Sequence, residues 1–218
     1  MKTVIFDLDG TILDTLQDLK NAVNHALNFY NYPEKDLEFV RKAIGNGTQV
    51  LIKRCTPCTI SEEEYKAVFK SFKEYYLSHY DHCTRPYVGI KDLLNALKGK
   101  CHIAVVSNKD NDLVQRLINK EFPGLFDIIQ GSYLDRPKKP DPYLIDKILD
   151  ENNINKNDCL YIGDTNVDKE SALNAGLSYQ LVSYGYRTKE ELEKMCPNDT
   201  LFSSVKELSD YLLKWVNK

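Results

Sequence analysis

Short runs of β-branched and apolar residues recur along the chain, at 3–6, 102–106, 159–162 and 179–182, with a weaker run at 126–130. Stretches with helical patterning, at 110–121, 141–152 and 167–175, separate most of them. Strands that alternate with helices argue for a parallel sheet with both faces covered. The sequence therefore predicts an α/β fold, a doubly wound parallel sheet of Rossmann-like type.

One connection breaks this rhythm. The second clear run starts near His102, far beyond the short loop and single helix that a crossover needs. Within the gap, Leu16, Leu19, Val23, Ala26, Leu27 and Tyr30 follow helical spacing, as do Tyr65, Val68, Phe69, Phe72 and Tyr76. Ser61 and Glu64 form a capping-box pattern ahead of the second of these helices. Asp14 followed by Gln17 reads as a cap at the start of the first, against the alternative of a carboxylate placed near a bound metal. Residues 15–86 are thus expected to be an inserted helical domain, with 1–14 and 87–218 forming the α/β core. Near the end, Ser204 and Glu207 repeat the capping-box pattern before Val205, Leu208, Leu212 and Trp215, a helix expected to cover the sheet.

At 218 residues, 42% hydrophobic and 28% charged, the chain has the make-up of an ordinary folded protein. A net charge of -3 gives no reason to expect long contacts with nucleic acid or an anionic membrane, so the expected partner is a small molecule. The first apolar run stops at Asp7, too short and too acidic for a signal peptide or membrane span, and a cytoplasmic location is expected. The six cysteines are expected to be reduced, and the chain to be a monomer or weak homodimer.

The run at 3–6 leads straight into Asp7-Leu8-Asp9-Gly10-Thr11. Residues two apart on an extended chain point the same way, so the two carboxylates are expected to face one site. Two unit charges roughly 4 Å apart, at an effective dielectric of about 20, repel by about 4 kcal/mol. A bound cation is the simplest remedy. In open parallel sheets ligands bind beyond the carboxyl ends of the strands. There the later runs supply Ser107-Asn108-Lys109, ahead of a helix whose free N–H groups suit an anion, and Gly163-Asp164-Thr165 with Asp168 a helical turn on. Lys138-Lys139-Pro140-Asp141-Pro142 holds a lysine in a stiff loop before a further helix. Carboxylates for a metal, a hydroxyl and amides for an anion, and a fixed ammonium together suit phosphoryl transfer.

These strings resemble, in order, the four motifs of the haloacid dehalogenase superfamily of phosphohydrolases: DLDGT at 7–11, SN at 107–108, KPDP at 139–142 and GDTNVD at 163–168. The helical insertion matches that family's cap. The resemblance implies Asp7 as nucleophile and Asp9, which the dehalogenases themselves lack, as general acid and then base. It implies a magnesium ion held by Asp7, the Asp9 backbone carbonyl and Asp164, with Asp168 in support. Ser107, the Asn108 amide and Lys139 would hold the phosphoryl oxygens. The implied substrate is a small phosphorylated metabolite.

In the insertion, Gly45-Asn46-Gly47 is similar to the cap loop of phosphoglycolate phosphatases, and Ser107-Asn108-Lys109 and Tyr184-Gly185-Tyr186-Arg187 also resemble that subfamily. Gly45, Asn46 and Gly47 are therefore candidate substrate contacts, against the plainer reading of a turn between helices. Lys53 or Arg54 is a candidate for a substrate carboxylate, against a solvated helix face. Cys55 and Cys58, with His79, His82 and Cys83, match no zinc spacing. Two alternatives stay open: a phosphosugar mutase using the same aspartyl-phosphate, and a non-catalytic protein on the same scaffold.

Overall fold

The computed structural model describes residues 1–218. The chain begins with strand β1 (Thr3–Phe6) and passes through the two-residue β2 (Leu13–Asp14) into helices α1 (Leu16–Phe29), α2 (Leu37–Ala43), α3 (Thr48–Cys55) and α4 (Glu62–His79). It returns through β3 (Arg85–Pro86), which pairs with β2. There follow α5 (Ile90–Leu97), β4 (His102–Asp110), α6 (Asn111–Glu121), β5 (Ile128–Ser132), α7 (Tyr143–Glu151), β6 (Cys159–Gly163) and α8 (Asn166–Asn174). The last elements are β7 (Ser178–Val182), α9 (Lys189–Met195), β8 (Leu201–Phe202) and α10 (Val205–Val216). Contacts divide the chain into two compact units, Met1–Leu13 with Pro86–Lys218, and Asp14–Arg85. No helix is long and apolar enough to cross a membrane.

The first unit is a six-stranded sheet in the order β5-β4-β1-β6-β7-β8, every pair parallel. All four residues of β1 are buried, as befits a central strand covered on both faces. Period-two alternation sends Ile5, Ala104, Val106 and Tyr161 to one face, where they pack against Leu144, Ile145 and Ile148 of α7 and Ala172 of α8. On α10, Val205, Leu208 and Leu212 are buried, and the helix packs on α5 and β8. The edge strand β8 went unread in the sequence because two residues carry no period.

Register fixes where the strands end. Phe6 lies opposite Val105 on one side and Ile162 on the other, so Asp7, Ser107 and Asp164 emerge along one edge of the sheet. Strand order reverses direction at β1, the position where open α/β sheets form a ligand crevice. Beside it β4 bulges: from Val106 opposite Gln130 to Asp110 opposite Ser132, β4 advances four residues against two. The surplus falls on Ser107-Asn108-Lys109 and re-aims those side chains.

In the helical unit, α1 packs on α4, burying Leu19, Val23 and Leu27 on the one and Val68, Phe72 and Tyr76 on the other. Asp18, buried on α1, accepts hydrogen bonds from Cys83 N, Thr84 N and Thr84 Oγ1, so its charge is met in full and the returning segment is tied to the helix. The capping patterns are corrected in detail. Ser61 and Ser204 each accept from the N–H three residues on, but no reciprocal bond closes the box. Asp14 accepts from Leu16 N at 3.1 Å in a local turn, and the N-cap position of α1 falls on Thr15, whose side chain makes no capping bond.

Candidate active site

Asp7 continues the ladder beyond β1, its N–H donating to Ile162 O at 2.8 Å. Its side chain is buried, and Lys139 Nζ lies 2.8 Å from Asp7 Oδ1. That oxygen receives no directed hydrogen bond. The same ammonium also donates to Asp168 Oδ1 at 2.7 Å, Tyr161 Oη at 2.9 Å and Val106 O at 3.4 Å. Burial raises its pKa from the ordinary 3.8 to about 7; Lys139 opposes the rise, and Asp168 and Asp9 add to it. For Lys139, burial works against the charge, but Asp168, Asp7 and Tyr161 outweigh it and hold the ammonium well above its usual range.

Asp164 follows β6 and is fully buried. Thr11 Oγ1 donates to its Oδ1 at 3.1 Å and Tyr186 N to its Oδ2 at 2.7 Å. Burial, then Asp168 and Asp7, still push its pKa well above the carboxylate range. The approach of the Asp9-Gly10-Thr11 turn depends on glycine: Gly10 has φ +89°, and a Cβ there would collide with Asp164 Oδ2. Gly185 is needed for the same reason, since its Cβ would run into Gly10 O.

Asp168 Oδ2 accepts from Asp164 N, Thr165 N and Thr165 Oγ1, closing a capping box on α8, while Oδ1 accepts from Lys139. Asp168 thus caps the helix and faces the cluster at once. Acidic oxygens of Asp7, Asp164 and Asp168 lie within 4.8 Å of one another.

Asn108 ties two motifs together. Its Nδ2 donates to Lys139 O at 3.0 Å and its Oδ1 accepts from Lys139 N at 2.8 Å, so its side chain fixes the lysine loop. Ser107 is buried beside it and accepts from Lys109 N at 3.3 Å.

Asp9 departs from the expectation. β1 ends at Phe6, so two-residue alternation does not carry through to Asp9, and its carboxylate is outside the acidic cluster. Lys109 Nζ donates to both its oxygens, at 2.7 and 3.0 Å. The two aspartates thus face different lysines. Sequence reasoning missed Lys109 and Tyr161 as partners, since neither pairing leaves a local signal.

Gly45, Asn46 and Gly47 lie in the helical unit, between α2 and α3, with positive φ at both glycines. Arg54 is exposed, as a solvated helix face would have it, and from there it donates to Ala43 O at 2.7 Å and Asn46 Oδ1 at 3.0 Å, bracing this loop. All six cysteines are free thiols. Cys55 is buried and its pKa is pushed up to about 11 by that burial, against Lys35 and Arg54. It is not part of the group of three ligating side chains formed by Asp7, Asp164 and Asp168.

The model of the haloacid dehalogenase-like hydrolases matches residues 4–182. A phosphoglycolate phosphatase of Aquifex aeolicus is 33% identical over 203 residues, covering 92% of each chain. Phosphoglycolate phosphatase 1 of Pseudomonas aeruginosa is 32% identical over 204 residues, 90% of this chain and 74% of that one. The crystal structure of a predicted phosphoglycolate phosphatase from Haemophilus somnus superposes with a TM-score of 0.88 at 28% identity, covering 97% of this chain and 98% of the other. A match over most of the chain, on a sheet that carries the acidic cluster at its strand ends, makes this protein a member of the haloacid dehalogenase-like hydrolase family.

Proposed function

We propose that the protein is a magnesium-dependent phosphatase that hydrolyses a small phosphate monoester through an aspartyl-phosphate on Asp7, with phosphoglycolate as the favoured substrate. The carrying observation is a charge imbalance. Three buried carboxylates, Asp7, Asp164 and Asp168, surround the single ammonium of Lys139, while Asp9 and Lys109 balance each other. A deficit of two positive charges is what one divalent cation corrects; burial first, and then the neighbouring carboxylates, push the pKa values of Asp7 and Asp164 up in its absence.

The donor set fits a hard cation that takes oxygen ligands. Asp7 and Asp164 would hold magnesium through their carboxylates and Asp9 through its backbone carbonyl. Asp168, already saturated by protein donors, would support the site through Lys139. When bound, magnesium supplies positive charge that lets an anionic nucleophile approach an anionic phosphate.

The residues divide the remaining work. Ser107, the Asn108 amide and Lys139 hold the phosphoryl oxygens, where charge spreads in the transition state. Asp7 attacks phosphorus, and as the ester P–O bond breaks Asp9 gives its proton to the leaving oxygen. Asp9 then takes a proton from the water that attacks the aspartyl-phosphate, releasing inorganic phosphate and restoring Asp7. Such division is needed, because unaided monoester hydrolysis calls for acceleration of up to about 10^21-fold. The curated relatives favour phosphoglycolate, and the Gly45-Asn46-Gly47 loop braced by Arg54 is the proposed substrate-selecting segment.

A panel of small phosphorylated acids, sugars and nucleotides, assayed with and without magnesium, tests the reading. Magnesium-dependent phosphate release with phosphoglycolate preferred is expected. Preference for nucleotides would end the substrate assignment, and no release from any ester would end the enzymatic one.

A further inference from the structure

The reaction above leaves the contact between Asp9 and Lys109 without a purpose. Lys109 is a long, flexible side chain, yet it is held almost fully out of water, 3% exposed, with its ammonium on both oxygens of a carboxylate that is itself 14% exposed. Local folding does not ask for this. The turn that carries Asp9 is closed by its own backbone, through Gly10 N to Leu13 O at 2.9 Å, Ile12 N to Leu8 O at 3.1 Å and Leu13 N to Leu8 O at 3.0 Å. The Asp9 side chain takes no part in those bonds, and Lys109 meets it from another strand end.

The other end of the pair is equally anchored. Lys109 sits on the β4 bulge with Ser107 and Asn108, where its N–H donates to Ser107 Oγ, Ser132 Oγ donates to Asn108 O at 2.8 Å, and Asn108 is locked to the Lys139 backbone. The segment proposed to hold the phosphoryl group and the group proposed to protonate the leaving oxygen are therefore joined through one lysine. Proton transfer to a leaving group needs that placement to be correct to within a hydrogen bond.

We propose that Lys109 is the positioning residue for Asp9: its ammonium, on both oxygens of the carboxylate here, keeps one of them when the other carries the proton and thereby aims that proton at the leaving oxygen of the ester. Lys109 keeps its own protons throughout; the proton that moves passes from Asp9 to the leaving oxygen as the P–O bond breaks. This rests on the assignment of Asp9 as the proton donor.

The test compares kcat/KM, which covers steps up to phosphoryl transfer, on two esters in saturating magnesium. Phosphoglycolate has an alkoxide leaving group that needs a proton, and 4-nitrophenyl phosphate has one that leaves without it. Lys109→Met is expected to lower kcat/KM on phosphoglycolate at least about tenfold more than on the aryl ester, a part of the roughly 10^2- to 10^4-fold that acid catalysis supplies. Lys109→Arg is expected to recover most of that difference. Equal losses on the two esters, with an unchanged circular dichroism spectrum, would show a structural role only and overturn the proposal. Should Lys109→Met not fold, Lys109→Gln is read by the same two outcomes. Asp9→Asn separates the two claims. If it discriminates between the esters and the Lys109 variants do not, the positioning role alone fails; if Asp9→Asn does not discriminate, the donor assignment fails and the positioning role with it.

Discussion

At the residue scale the site is a problem of counting charges, and Lys139 is the residue on which the count turns. Removing one partner of a buried pair leaves its counterpart uncompensated and costs about 3–5 kcal/mol. Lys139→Met, which leaves Asp7 and Asp168 facing each other without the ammonium, is expected to lose stability on that scale in urea unfolding with chelator present. Magnesium is expected to restore part of it. A loss below about 1 kcal/mol would mean that the carboxylates are neutral in the resting protein and the imbalance is not real. The residues that carry this count were legible because each stands in a short string next to a strand end: Asp7, Lys139, Asp164. Their partners were not. Lys109 meets Asp9 across a separation of 100 residues, and Tyr161 reads as core packing because alternation places it with Ile5 and Val106 on an apolar face.

At the scale of elements, α8 shows one residue serving two structures. Thr165 Oγ1 both donates to Asp168 Oδ2 at 2.6 Å and accepts from Asp168 N, so the cap that starts the helix also holds the carboxylate that directs Lys139. Thr165→Ala is expected to cost about 1 kcal/mol, the usual worth of such a cap. It is also expected to lower kcat, by loosening Asp168, with thermal unfolding and turnover measured on the same preparation. A stability loss with kcat unchanged would separate the cap from the site. The box is visible in the sequence, in Thr165 followed three residues on by Asp168. Conversely, Ser61–Glu64 and Ser204–Glu207 match the pattern and form half of it, since Glu207 instead accepts from Ser203 N and Oγ. The β4 bulge had no visible signal, because an extra residue in a strand alters pairing and not pattern.

At the scale of the whole molecule, the buried cluster links stability, pH and metal. With the Asp7 pKa near 7 in the folded, metal-free protein and 3.8 as the ordinary value, the folded state holds a proton that the unfolded chain has lost across that interval. Stability from this group is therefore full below about pH 4 and falls as pH rises to about 7. In Asp7→Asn the same site is neutral at every pH. In chelator, wild type is expected to lose stability relative to Asp7→Asn between those limits, and the magnesium-induced rise in Tm is expected to grow over the same interval. A gap that does not change with pH would contradict the assigned shift. The fold class was legible because strands and helices alternate, and the helical insertion because no single crossover spans residues 7–101. The pairing order of the strands was not, because long-range register has no signature in local pattern.

The measurement closest to the central claim is the identity of the residue that carries the phosphoryl group. Turnover of phosphoglycolate with magnesium is quenched in acid and treated with borohydride, which reduces an acyl phosphate to an alcohol, and the peptides are sequenced by mass spectrometry. The account predicts homoserine at position 7, dependent on substrate and magnesium and absent from Asp7→Asn. Reduction at a different carboxylate, or steady phosphate release with position 7 never modified, would contradict it.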